Sequence, residues 1–155
     1  MAHTFSNLLY HAIFGVKHRC SILAKPVRDK LFPYMAGIVQ NHDGHPIEIN
    51  GVEDHAHLFF SLGTKHAVAD VMRDIKASSS KWLNEQRILP GEFHWQTGYA
   101  IFSVSQSLRS NVAAYVRNQE THHAKRTFEA EYLEFLVKHG ITYDPRFVFD
   151  TEFAA

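Results

Sequence analysis

The sequence predicts an α+β domain on a ferredoxin-like antiparallel sheet of β-α-β-β-α-β order, with additional helices at its C-terminal end. Three observations carry that expectation. Segments near the start of the chain and after Trp95 alternate their side chains at period two, as half-buried strands do. A central pair of apolar runs turns back on itself near Glu53-Asp54, as a hairpin would. Between these lie stretches whose apolar residues recur at three- and four-residue steps, the spacing of amphipathic helices.

In strand one, within Phe5–Val16, Leu8, Tyr10, Ala12, Phe14 and Val16 share a face, and Lys17-His18-Arg19 sets positive charge at its end. Pro26 suits the first turn of helix one, where Val27, Leu31, Met35, Ile38 and Val39 keep helical spacing up to Asn41-His42-Asp43-Gly44. Pro33 inside it is expected to kink the helix or delay its start, because proline lacks the amide donor and clashes with the preceding turn. Ile47, Ile49 and Val52 form strand two, which turns into the strand running from His55 to Leu62. Val68, Val71, Met72, Ile75, Trp82 and Leu83 make the stripe of helix two, with Arg73, Lys76 and Lys81 pointing elsewhere, until Pro90-Gly91 ends the pattern.

Strand four lies within Trp95–Ser105. Ser107 or Ser110 can cap a third helix reaching about His123, with Val112 and Val116 as its apolar stripe. Thr127 can cap a fourth, whose buried side is Phe128, Tyr132, Phe135 and Leu136; Glu129 and Glu131 suit its positive end and His139-Gly140 its termination. Tyr143, Phe147, Phe149 and Phe153 make the 140–155 segment aromatic, so it is expected to dock onto the single domain spanning 1–155.

With 155 residues, 45% of them hydrophobic, the chain can bury a full core as one domain. It lacks an apolar run long enough to span a membrane and its first residues do not resemble a signal peptide, so a cytoplasmic location is expected, without membrane partners. Cys20 is the single cysteine, which excludes an internal disulfide and a thiolate zinc site, so any metal must use His, carboxylate or amide ligands. The formal net charge is zero, but its distribution is uneven: Lys and Arg exceed Asp and Glu by 4 in residues 1–42, and fall short by 4 in residues 127–155. A basic N-terminal third can face a polyanion while the acidic end lies elsewhere.

The chemistry centres on His55-Ala56-His57. On a strand the two imidazoles point the same way and can bind one ion without distorting the backbone. Tyr115 and Gln119, four residues apart, share a helix face, with His122 one turn further. Tyr115 is the candidate nucleophile; a phenol with a pKa of about 10 needs a metal on its electrophile or a nearby base. Gln119 can add an amide oxygen to the two imidazoles, a set suited to Mg²⁺ or Mn²⁺ with positions left for phosphate oxygens, while Asp54 is an alternative or additional oxygen ligand and His122 a candidate ligand or neighbour. Lys17, Arg19, Arg73, Lys76, Lys81 and Arg117 are candidate phosphate contacts.

Over nearly its whole length the chain resembles the small single-tyrosine HUH transposases of bacterial insertion sequences. The resemblance rests on Asp54-His55-Ala56-His57-Leu58, on the segment from Trp95 to Ser105 and on Tyr115-Val116-Arg117-Asn118-Gln119-Glu120-Thr121-His122-His123. Phe14-Gly15-Val16-Lys17-His18-Arg19 and His139-Gly140-Ile141-Thr142-Tyr143-Asp144 are similar to the family's basic segment and C-terminal segment. The resemblance implies the HUH endonuclease fold, His55, His57 and Gln119 as metal ligands, and Tyr115 as the residue that attacks single-stranded DNA at hairpins on the element's ends. It also implies a 5′-phosphotyrosine intermediate, a homodimer and no nucleotide cofactor. Two other readings stay beside it: a relative that binds and nicks repeat hairpins outside a mobile element, and a non-catalytic DNA-binding module of the same fold.

Overall fold

Alternation along β1 (Leu8–Gly15) sends Ala12 and Phe14 to one face of the sheet and Leu9, His11 and Ile13 to the other, and all five are buried. Both faces of this strand are therefore covered, which places it at the centre of the fold. The computed structural model describes residues 3–149. β2 (His45–Val52) and β3 (His55–Leu62) form the expected hairpin around Glu53-Asp54, with Val52 opposite His55. Gly51 is needed at this turn, because a Cβ there would sit 2.2 Å from the His55 carbonyl oxygen. β4 (Ala100–Val104) adds to the other side of β1, giving an antiparallel sheet in the order β2-β3-β1-β4, the ferredoxin-like arrangement.

One face carries Ala12, Phe14, Ala56, Leu58, Phe60 and Leu62 against α1 (Lys25–Asn41) and α2 (Val68–Gln86), whose contributions include Leu31, Met35, Met72 and Ile75. The opposite face carries Leu9, Ile13, Phe59, Ala100 and Phe102 under three shorter helices, α3 (Arg109–Arg117), α4 (Gln119–His123) and α5 (Phe128–Lys138). Phe128, Tyr132 and Leu136 bury the inner stripe of α5, each contributing about 2 kcal/mol of transfer free energy. No helix among the described residues is long and apolar enough to cross a membrane.

Three local expectations change. Helix one runs through Pro33 without interruption; the residue is exposed, as is Asp29 one turn earlier, so the carbonyl that loses its amide partner is open to water. The single helix expected up to His123 is divided at Asn118, whose φ of −98° and ψ of 27° depart from the helical region, and Leu108 rather than a serine precedes α3, with no side-chain cap. Thr127 does cap α5, its hydroxyl accepting from the Ala130 amide. Of the C-terminal aromatics expected to dock, Tyr143 and Phe149 pack against the α5 core, Phe147 is instead exposed, and Phe153 lies outside the described residues.

Candidate active site

The site grows from the register of the sheet. Pairing sets Ile13 opposite His57 and Gly15 opposite His55, so His11 lies diagonally across from His57 on the same face. All three histidines are buried; His123 of α4 meets the His55 ring edge-on, and Phe128 and Phe135 of α5 pack on His55 and His11. Gly15 permits that packing: a Cβ there would meet the Phe128 ring at 2.6 Å, and Phe128 stacks on His55 with ring centroids 4.5 Å apart.

From α5, Glu131 reaches the centre of this group with a fully buried carboxylate. Its Oε1 accepts from His57 Nε2 at 2.8 Å and His123 Nε2 at 3.0 Å, and lies 3.4 Å from His55 Nε2. Its Oε2 accepts the Tyr115 hydroxyl. Each imidazole is also held from behind: His55 Nδ1 donates to Asp54 at 2.7 Å, His123 Nδ1 to the Arg126 carbonyl at 3.0 Å, and His57 Nδ1 pairs with His11 Nε2 at 2.8 Å. His55, His57, His123 and Glu131 offer donor atoms that all lie within 4.8 Å of one another, three nitrogens and a carboxylate oxygen, a set that fits a divalent metal.

Electrostatics follow from burial. Exclusion of water pushes His57 down to about 4 and His11 well below the ordinary histidine value, so both rings are neutral. Burial also opposes charge on His55, but its hydrogen bonds to Asp54 and Glu131 outweigh it and raise that ring. Glu131 is held below the usual carboxylate range by hydrogen bonds from His123, His55 and His57, despite burial. Tyr115 is pushed up, first by burial and then by the Glu131 carboxylate, while Arg126, with Nη2 3.2 Å from the phenol oxygen, works the other way. A cavity of about 240 Å³ lies beside the tyrosine, lined by His11, Val112, Arg126 and Phe135 among others.

The structure thus brings Tyr115, His55, His57 and Gln119 together in one chain. Gln119 Oε1 is 3.4 Å from His55 Nε2, and its amide nitrogen donates to the Tyr115 carbonyl at 3.1 Å. Asp54 meets His55 on the nitrogen turned away from the cluster, and His122 stacks on the Tyr115 ring at 4.5 Å. Arg117 pairs with Glu48 at 3.0 Å beside the tyrosine helix; Arg19 pairs with Glu129 at 3.1 Å and lies over Phe149, and Lys17 follows β1 at the His55 end of the sheet. Arg73, Lys76 and Lys81 belong to α2, in the layer across the sheet from the histidines, where Lys76 donates to the carbonyls of Gln96 and Gly98.

Four members of this constellation escape a reading by motif: His11, His123, Arg126 and Glu131. Glu131 did carry a signal, since it falls three residues after Phe128 and four before Phe135, on the apolar stripe of its helix, where an acid is out of place without a partner.

Comparison with known proteins identifies the family. A family model described as IS200-like transposase matches residues 4–119. The ISDra2 transposase TnpA of Deinococcus radiodurans is 26% identical over 119 residues, covering 73% of this chain and 84% of that protein. A crystal structure described as that of a transposase from the same species superposes with a TM-score of 0.62 at 22% identity, over 77% of this chain and 95% of that one. A REP-associated tyrosine transposase bound to a REP hairpin superposes with a TM-score of 0.61 at 13% identity, over 100% of this chain and 94% of that one. At those identities the two structures establish the fold, and the family match establishes the membership: this chain belongs to the IS200-like transposases, the single-tyrosine HUH family.

Proposed function

We propose that this protein is a metal-dependent DNA strand transferase that cuts single-stranded DNA at hairpins on the ends of a mobile element and rejoins it through a 5′-phosphotyrosine link. One observation carries the reading: the Tyr115 hydroxyl and the His57 imidazole meet opposite oxygens of the same buried carboxylate, which puts a nucleophile beside a metal-ligand group.

Tyr115 is the nucleophile. Its proton passes to Glu131 Oε2, which already accepts it, and the guanidinium of Arg126 favours the phenolate. The phenol oxygen bonds to the phosphorus as the bond from phosphorus to the 3′-oxygen breaks, and that oxygen takes a proton from solvent to leave as a hydroxyl. The tyrosyl phosphodiester conserves the energy of the broken bond, so the 3′-hydroxyl can reverse the step without a nucleotide cofactor. Mg²⁺ or Mn²⁺, bound at His55, His57 and Gln119, would supply charge stabilisation on the non-bridging phosphate oxygens. Asp54 orients His55 through its hydrogen bond, and His122 packs the tyrosine ring.

Lys17, Arg19 and Arg117 contact the phosphates of the scissile strand, and Arg73, Lys76 and Lys81 contact a more distant part of the hairpin. The active species is a homodimer. A second reading, a repeat-hairpin-binding nuclease outside a mobile element, is favoured by the likeness of the whole chain to the transposase solved with a REP hairpin.

The test is incubation with labelled single-stranded hairpin DNA from the gene's flanks plus Mg²⁺ or Mn²⁺, followed by a denaturing gel. A metal-dependent protein–DNA adduct that disappears in Tyr115→Phe supports strand transfer. Equal cleavage by the wild type and that variant overturns it, and hairpin binding with no adduct moves the protein to a non-catalytic DNA-binding module.

A further inference from the structure

We propose that the cavity between the loop before β4, α5 and the C-terminal segment takes one unpaired nucleobase of the single strand that flanks the scissile phosphate. The proposal rests on the single-stranded DNA reading above and adds a base site to it. It uses none of the histidines, Glu131 or Gln119.

The cavity encloses about 270 Å³, and its lining includes the side chains of Tyr99, Tyr132, Tyr143, Phe147 and Gln96. That volume lies just below the roughly 300–1,000 Å³ of sites for drug-sized molecules, so it suits about one flat ring system. Four aromatic rings around one opening offer a base the faces and edges it stacks against, whichever of the four bases it is. Phe147 is 72% exposed at this opening. A 3₁₀ turn, Pro145–Phe147, sets its place: Asp144 accepts from the Arg146 amide and pairs with the Arg146 guanidinium, which lies over the Phe147 ring at 5.2 Å. A guanidinium resting on an aromatic ring is a pairing that nucleic-acid sites use for bases and phosphates alike.

The polar atoms of the cavity are fixed in advance. Gln96 is 6% exposed, and its Oε1 accepts the Gly15 amide at 2.7 Å, which turns its amide nitrogen toward the Tyr132 hydroxyl. Burial pushes the Tyr132 phenol up, so it stays protonated. Gln96 is the one hydrogen-bond partner of that hydroxyl among the described residues, which leaves the phenolic proton for a ligand. The edges of an unpaired base carry ring-nitrogen and carbonyl acceptors that such a donor meets. The loop that presents Gln96 is itself held, since Gly98 takes a φ of 86° that suits glycine and Lys76 donates to the carbonyls of Gln96 and Gly98.

The location fits a nucleotide close to the one that reacts. The Gln96 amide donates to the Gly15 carbonyl at 2.8 Å, and Gly15 stands opposite His55 in the sheet. Tyr132 meets Phe128 with ring centroids 5.4 Å apart, and Phe128 is the ring stacked on His55. One aromatic layer therefore separates the cavity from the histidines. Arg19 lies over Phe149, whose ring is 5.4 Å from that of Tyr132, so this candidate phosphate contact borders the same aromatic cluster.

The test uses the full chain as Tyr115→Phe, so that binding is read without strand transfer, and hairpin oligonucleotides from the gene's flanks with single-stranded arms. Each arm position is replaced in turn by an abasic site, and affinity is measured by gel shift. One position is expected to cost about fivefold or more, the loss of one stacked base. Phe147→Ala is expected to weaken binding of the intact DNA by about fivefold or more, and of the DNA abasic at that position by less than about twofold. A general structural defect would weaken both alike. As a second measurement, 5-iododeoxyuridine at that position of the DNA is expected to photocrosslink, in the chain with Phe147 intact, to a peptide holding Tyr99, Tyr143 or Phe147. No sensitive position, a Phe147→Ala deficit that persists on the abasic DNA, or crosslinks confined to other peptides each overturns the proposal. Failure to bind any of these DNAs overturns it together with the DNA reading. A wild-type adduct without a sensitive position leaves strand transfer standing and removes the base site, whereas a sensitive position that Phe147→Ala abolishes, with no adduct, removes strand transfer and leaves the base site.

Discussion

His11 and His57 face each other across the β1–β3 pair, Nε2 to Nδ1 at 2.8 Å, with their rings stacked at 5.1 Å. Because Glu131 accepts from His57 Nε2, that nitrogen carries the proton and His57 Nδ1 accepts from His11. A metal held at Nε2 would take the place of that proton and would require the opposite direction of the bond, which a change of His11 tautomer would supply. His11→Phe, which fills a similar volume but offers no ring nitrogen, is expected to weaken Mn²⁺ binding by about tenfold while leaving the circular dichroism spectrum unchanged. Calorimetric titration checks this, and unchanged affinity would show that the pair serves packing alone.

Tyr115→Phe removes the phenol oxygen and with it the bond to Glu131, leaving the ring's contacts with His122 and Phe135 in place. Covalent capture of hairpin DNA is expected to vanish, and hairpin affinity to stay within about twofold, since no phosphate-contacting cation is lost. A gel-shift titration beside the denaturing gel separates the two effects.

The metal-free protein is expected to lose stability as pH falls below about 6.5. An unfolded chain protonates His11 and His57 near the ordinary histidine value, but the folded protein resists, His57 until about 4, because burial disfavours the imidazolium. The unfolded state therefore takes up more protons in that window, and the His57 contribution alone is about 3 kcal/mol. Glu131, held low in the fold, adds loss in the same direction as pH falls through the carboxylate range. His55 opposes them: its raised pKa contributes stability below the ordinary histidine value, lost as pH rises through its folded value. Two lowered histidines and one lowered carboxyl against one raised ring leave a net fall, read from urea midpoints in the presence of chelator; a midpoint that rises toward low pH contradicts the assignment of neutral rings.

Gly15→Ala forces a methyl into the Phe128 ring, which is itself stacked on His55. Overpacking of this kind costs about 1–3 kcal/mol. The expected signature is local: faster hydrogen exchange in α5 with little change in α1 and α2, which lie across the sheet. Uniform destabilisation of every helix would show that Phe128 is not the contact that yields.

Much of the fold was legible because the sheet's two faces are written at period two. Ala56, Leu58, Phe60 and Leu62 announced one core face and His55 and His57 the opposite one, and the hairpin and helix two followed from spacing. Pro33 misled because its effect depends on whether a carbonyl four residues earlier is wet, which is a property of the packed helix. The break at Asn118 was hidden because an apolar stripe records the buried face and not the continuity of the backbone.

The sequence by itself determined the antiparallel α+β sheet, the His55–His57 pair on one strand face, and the Tyr115–Gln119 pair on one helix face, since each depends on spacing within a single element. The tertiary structure decided what meets them. Glu131, His123, Arg126 and His11 come from α5, α4, the turn between those helices and β1, and the bonds that join them to the histidine pair and the tyrosine depend on strand register and on how α5 docks over Gly15. Local periodicity places a buried acid on a helix face; only packing gives that acid three imidazoles on one oxygen and a phenol on the other.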